Sequence, residues 1–156
     1  MTSEKKHYQR PVNFKTGKVE MNFGAGGKAS AQLISELFAK YFSNEYLDQG
    51  DDGARLPCPE GELIMATDSH VVSPIFFAGG DIGALSVHGT VNDVAVCGAV
   101  PKYLSAGFIL EEGFPLSDLK RIVESMAEAA KEAGVYIVTG DTKVVERGKA
   151  DGIYIN

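Results

Sequence analysis

At 156 residues, with 44% hydrophobic and 23% charged side chains and a formal net charge of −6, the chain has the length of one domain and a globular composition. That balance excludes a broad basic surface for nucleic-acid backbones or anionic membranes, and no run approaches the ~20 apolar residues of a membrane span. Two widely spaced cysteines, Cys58 and Cys97, match no zinc or redox motif, which predicts free thiols in a reducing, cytoplasmic compartment.

Residues 1–21 are basic and polar, with little periodicity and no signal-peptide core, so a flexible leader is expected there. Next, Asn22-Phe23-Gly24-Ala25-Gly26-Gly27-Lys28 precedes a segment whose apolar positions 33, 34, 37, 38, 41 and 42 recur at helical spacing. A glycine loop opening a helix exposes N–H groups at the positive helix end, so Gly26, Gly27 and Lys28 form either a phosphate cradle or a flexible helix start. The loop fits neither the Walker pattern nor a dinucleotide fingerprint.

Asp48-Gln49-Gly50-Asp51-Asp52-Gly53-Ala54 reads as an acidic turn before the Pro57-Cys58-Pro59 loop. Glu62 to Thr67 reads as a strand that ends in Asp68-Ser69-His70. Residues 82–99 read as the central helix, capped by Asp81 or Gly80. Its apolar positions 84, 85, 87, 91, 94, 95 and 96 cover most of the circumference, which predicts burial, with Cys97 packed as a small hydrophobe. Asp93, beside Asn92, then needs a partner, because an unpaired buried carboxylate is costly. Small Ser86, Gly89 and Thr90 on the same side leave room for a ligand or metal; alternatively, Asn92 and Asp93 cap a second short helix. The costly glycine serves packing or access. Lys102 to Leu110 reads as a strand and Leu116 to Ala133 as an amphipathic helix stopped by Gly134, with Asp118 and Glu124 as surface charges. Val135 to Thr139 reads as a strand ending in Gly140-Asp141-Thr142-Lys143, with further strand at Val144-Val145 and from Gly152 to Asn156.

Asp51 or Asp52, Asp68, Asp93 and Asp141 thus lie in separate segments, beside small residues or at element ends. Their convergence would form an oxygen-ligand site for Mg²⁺, which keeps water and bridges to phosphates. His70 and His88 form no zinc pattern. Nucleotide phosphate is the matching ligand.

The ordered run of Phe23-Gly24-Ala25-Gly26-Gly27, Asp51-Asp52-Gly53-Ala54, Ala66-Thr67-Asp68-Ser69, Asn92-Asp93-Val94-Ala95-Val96-Cys97-Gly98-Ala99 and Gly140-Asp141-Thr142-Lys143-Val144-Val145 resembles the hydrogenase maturation factor HypE family of the aminoimidazole ribonucleotide synthetase-like (PurM-like) superfamily. The resemblance implies an α+β, PurM-like amino-terminal domain over residues 22–156. In it a mixed sheet packed on helices makes a half-barrel that homodimerisation completes. It also implies Mg-ATP near the dimer interface, with Asp51, Asp52, Asp68 and Asp93 toward the metal. Gly26, Gly27, Lys28, Asn92, Asp141 and Thr142 would face the nucleotide. Lys143 is either a phosphate or tail-chemistry residue or a surface lysine. Members of the family use ATP to dehydrate a thiocarboxamide on a carboxyl-terminal cysteine to a thiocyanate, destined for the cyanide ligands of [NiFe] hydrogenase. HypF supplies the carbamoyl group and a HypC–HypD complex receives the product. The family's second domain and terminal cysteine are not in this sequence, so the expectation is an ATP-binding and dimerisation domain that does not complete the reaction alone. The alternatives are a dimerisation or partner-binding module, or another PurM-like branch acting on selenide, thiamine phosphate or purine intermediates.

Overall fold

The computed structural model describes residues 10–156. Lys28–Leu33 (α1) and Ala39–Phe42 (α2) are joined by a π-helical turn at Ile34–Phe38, so the helix expected from its apolar spacing carries a wider turn in its middle. Phe76–Phe77 (β1) and Gly80–Asp81 (β2) form a short antiparallel pair. Then come Ile82–Val96 (α3), Tyr103–Glu111 (β3), Leu116–Ala133 (α4), Tyr136–Val145 (β4) and Ile153–Ile155 (β5). The larger sheet has the order β4-β3-β5, parallel between β3 and β4 and antiparallel between β3 and β5. This is a mixed, open sheet within an α+β fold, and no helix among the described residues is long and apolar enough to cross a membrane.

Periodicity explains the core. On α4, Leu116, Leu119, Ile122, Val123, Met126, Ala129 and Ala130 are buried at helical spacing, and Gly134 ends the helix in the left-handed region. They share a core with Phe108, Leu110, Ile137, Ile153 and Ile155 from the sheet and with Leu33, Leu37 and Phe38 from the first helical region. Gly140 is required where β4 meets β3, because a Cβ there would stand 2.2 Å from the Ala106 carbonyl oxygen. Asp81 is the cap of α3, its Oδ1 accepting from the N–H groups of Gly83 at 2.7 Å and Ala84 at 3.1 Å.

Several expectations are corrected. Of the supposed leader, residues 1–9 lie outside the described residues, and part of the remainder is anchored on the fold. Val12 and Phe14 rest on the core. The Val19 N–H donates to Phe114, the Gly113 N–H donates to Val19, and Val19 is 1% exposed. Glu62 to Thr67 is not a paired strand: only His70 bridges, to Ile155, and Leu63 and Met65 are 76% and 89% exposed. The apolar run Leu63-Ile64-Met65-Ala66 marks an extended segment but supplies no neighbour to pair with. The second Asp-bearing strand does not end at Thr139. It continues through Asp141 to Val145 because β3 lies alongside it to Glu111. Only the first half of α3 is buried; Asn92, Asp93 and Cys97 are exposed, and Val96 is 83% exposed. Glu124 is half-buried and accepts from the Tyr41 hydroxyl at 2.6 Å.

Candidate functional site

A cleft of about 490 Å³ opens between the glycine loop, the π-helical turn and the β3–β4 pair. Its floor is apolar: Ala106 and Phe108 come from β3, Ile137 from β4 and Phe38 from the π turn, the two phenylalanine rings lying 4.8 Å apart. Its rim is polar and carries Gly26, Asp51, Asp52, Thr139, Asp141, Thr142 and Lys143. A second, more open groove between α2 and α4, lined in part by Tyr41, Asn44, Glu124 and Lys131, contains none of the candidate residues.

On the β4 side of the rim an acid and a base are already paired. Residues two apart on a strand share a face, so Asp141 and Lys143 project together, Oδ2 to Nζ at 2.9 Å. Asp141 Oδ1 accepts from the Thr142 N–H at 2.8 Å. The Lys143 ammonium first, and the Thr142 N–H second, hold the Asp141 carboxyl below the usual carboxylate range. Across the cleft, the Asp51 carboxylate pairs with Arg55 at 2.8 Å, and the Thr139 hydroxyl donates to the Asp52 carbonyl at 3.4 Å, tying the acidic loop to β4.

The glycine loop is more occupied than its composition suggests. The Gly26 N–H, at φ 73°, donates to Ser30 Oγ at 3.0 Å, and that hydroxyl donates to the Asn22 carbonyl at 3.1 Å. A Cβ on Gly24 would meet the Val144 nitrogen at 2.5 Å, so this loop is pressed against β4. Gly27 and Lys28 are exposed and do not line the cleft.

Asp68, Asn92 and Asp93 also lie outside the cleft lining. Asp68 Oδ1 accepts from the Ser69 N–H at 2.8 Å, and its Oδ2 stands 3.6 Å from Nε2 of the buried His70. Gly89 exists for this packing: a Cβ there would lie 2.8 Å from His70 Cε1 and 3.7 Å from Asp68 Oδ2. The Ser86 and Thr90 hydroxyls donate back to the carbonyls of Gly83 and Ser86, so neither is held out for a ligand. Among the described residues no three His, Cys, Asp or Glu side chains stand close enough to hold one metal ion. The fourfold convergence is therefore not made within one chain. The rim still suits a hard cation, since Mg²⁺ takes one or two carboxylates and completes its shell with water and phosphate oxygens. The cleft offers Asp51, Asp52 and Asp141 and no histidine or cysteine.

Sequence reasoning missed the apolar floor. Phe38 has the spacing of any core residue, and only the tertiary meeting with Phe108 turns it toward a cavity.

A family model of the AIR synthase related protein, N-terminal domain, matches residues 50–156. The carbamoyl dehydratase HypE of Cupriavidus necator is 68% identical over 149 residues, which are 95% of this chain and 42% of that protein. A hydrogenase maturation protein HypE solved in complex with ATP superposes with a TM-score of 0.84 at 58% identity, over 86% of this chain and 40% of that one. A HypE–HypF complex contains a similar chain, with a TM-score of 0.60 at 59% identity, over 79% and 39% of the two. The present chain thus spans less than half the length of these relatives.

Proposed function

Since this chain belongs to the AIR synthase related family and stands beside its HypE members, we propose that it is the ATP-binding and dimerisation domain of a carbamoyl dehydratase. The observation that carries this reading is the cleft, which sets an apolar floor of Phe38 and Phe108 beside a rim of Asp51, Asp52, Asp141 and Lys143. A nucleotide has the same two characters, an apolar base and an anionic tail that travels with Mg²⁺. Asp51 or Asp52 would hold the metal, and Asp141 and Thr142 would face the phosphates. Lys143, already charge-paired with Asp141, would swing its ammonium to phosphate oxygens. Bound Mg-ATP would supply the phosphoryl group that makes dehydration of the thiocarboxamide favourable. The cysteine bearing that group, HypF as carbamoyl donor and a HypC–HypD acceptor belong to this proposal for the whole protein. Free thiols at Cys58 and Cys97 suit a reducing cytoplasm.

Asp68 and Asp93 enter through the dimer. Leu63, Met65 and Val71 surround Asp68 in sequence, and Val96 and Val100 come after Asp93; all five apolar side chains are strongly exposed. A second copy covering this face would shield them and bring both acids, with Asn92, to a shared Mg-ATP site. The glycine loop, with Gly26, Gly27 and Lys28, would then close over the nucleotide from the side of α1.

Calorimetric titration with ATP, with and without Mg²⁺, together with light scattering, tests this reading. Dimers that bind ATP in a Mg²⁺-dependent way are expected, with binding weakened in Asp141→Asn. A stable monomer at micromolar concentration would remove the half-barrel reading. Dimers blind to nucleotide would favour the alternative, a pairing module, for which the exposed apolar side chains are the supporting observation.

A further inference from the structure

A metal ligand acts only as well as it is held, and outer partners that fix a carboxylate matter nearly as much as the carboxylate itself. Asp68 stands on the extended stretch after Glu62 that joins no sheet. Its anchor comes from the far end of the sequence. Asn156 Nδ2 donates to the Asp68 carbonyl at 2.9 Å and to Ser69 Oγ at 2.8 Å, while its Oδ1 accepts from the Thr67 hydroxyl at 3.4 Å. One amide thus grips three successive residues. The main chain of Asn156 is anchored in turn: its N–H donates to the Gly107 carbonyl at 2.9 Å, and the Gly107 N–H donates to the Asn156 carbonyl at 2.7 Å. The next residue, His70, is bridged to Ile155 and buried beneath Gly89.

We propose that Asn156 is a positioning residue for Mg-ATP, clamping the Asp68 segment to β3 so that its carboxylate meets the metal without first being ordered. This rests on Asp68 being a metal ligand, as proposed above. Asn156→Ala removes the side-chain grip and leaves the main-chain pair with Gly107 intact, so the sheet edge persists.

The test is calorimetric titration of the purified protein with ATP in Mg²⁺ and with ATP in EDTA, for the parent, Asn156→Ala, Asp68→Asn and the double variant. Asn156→Ala should weaken Mg-ATP binding roughly five- to tenfold, the worth of about one hydrogen bond, and leave metal-free ATP binding unchanged. Added to Asp68→Asn, it should cost nothing further. Equal weakening with and without Mg²⁺, or the same loss in both backgrounds, would show a merely structural or independent role and overturn the clamp. Asp68→Asn weakening Mg-ATP while Asn156→Ala binds like the parent overturns the clamp alone. Asp68→Asn binding Mg-ATP like the parent overturns the ligand reading and the clamp with it. If Asn156→Ala does not fold, Ser69→Ala removes one of the two acceptors. A smaller, Mg²⁺-specific loss there supports the clamp, and parent-like binding overturns it.

Discussion

Replacing Gly140 by alanine tests how the cleft is built. The added methyl would lie 2.2 Å from the Ala106 carbonyl oxygen and 3.2 Å from its carbon, and Ala106 is the residue paired with Gly140 across the parallel ladder. Neither atom is the end of a flexible side chain, so β3 and β4 must separate locally. Overpacking costs about 1–3 kcal/mol, and each weakened ladder hydrogen bond adds about 1 kcal/mol. A total of about 2–4 kcal/mol corresponds to a fall of roughly 5–15 °C in Tm for a chain of this size. Thermal and urea denaturation measure it, with Gly53→Ala as control because nothing lies within 4 Å of a Cβ at that position. Since Ala106 and Gly140 both line the cleft, Mg-ATP affinity should fall as well. A Gly140→Ala protein that melts with the parent would refute the steric reasoning.

Asp93→Asn should change stability by less than about 0.5 kcal/mol, because the side chain is exposed, yet weaken Mg-ATP binding by roughly tenfold or more as a neutralised metal ligand. Parent-like calorimetry would take Asp93 out of the site. Asp81→Ala should cost about 1–2 kcal/mol in urea denaturation through loss of the α3 cap, with Asp81→Asn close to the parent. In acid, Asp141 and Glu111 set a common direction. Asp141 is held low by Lys143 and the Thr142 N–H, and Glu111 by the N–H groups of Gly148 and Gly152. Because their folded values lie below the unfolded ones, the stability they give is present above about pH 4 and is lost as pH falls through the folded values. Melts from pH 6 to pH 2 should show that loss, and Glu111→Gln should flatten it; an unchanged profile would leave the turn around Gly148 and Gly152 with no electrostatic anchor.

Legible in the sequence was whatever one chain decides locally. The α4 helix declared itself by one apolar stripe and a terminal glycine, and the cap of α3 by an aspartate before a helical run. The second half of α3 and the stretch from Leu63 to Met65 misled for a shared reason: apolar residues mark surface that must be covered, without saying whether the cover comes from the same chain. Val19 was invisible because a single buried valine has no periodicity, and its place depends on Phe114, far along the sequence. The acids were found by type and context, but their grouping was not. Asp141 meets Asp51 and Asp52 across a cleft whose walls come from β4 and from a loop nearly a hundred positions earlier. Gly140 looked like the end of a strand, when it is the point at which two backbones come too close for any side chain.

The π-helical turn at Ile34–Phe38 also has a meaning for insertions and deletions. Such a turn holds one residue more than ordinary helical pitch requires, and each residue rotates the remainder of the helix by about 100°. Ile34 and Phe38 face the cleft, while Tyr41 reaches Glu124 on α4. Deleting one residue between them would restore regular pitch and still be read as a good helix by any measure of propensity. It would also turn the two ends against each other, so that the helix could keep its grip on α4 or its wall of the cleft, but not both. The length of this segment, and not only its side chains, is under constraint.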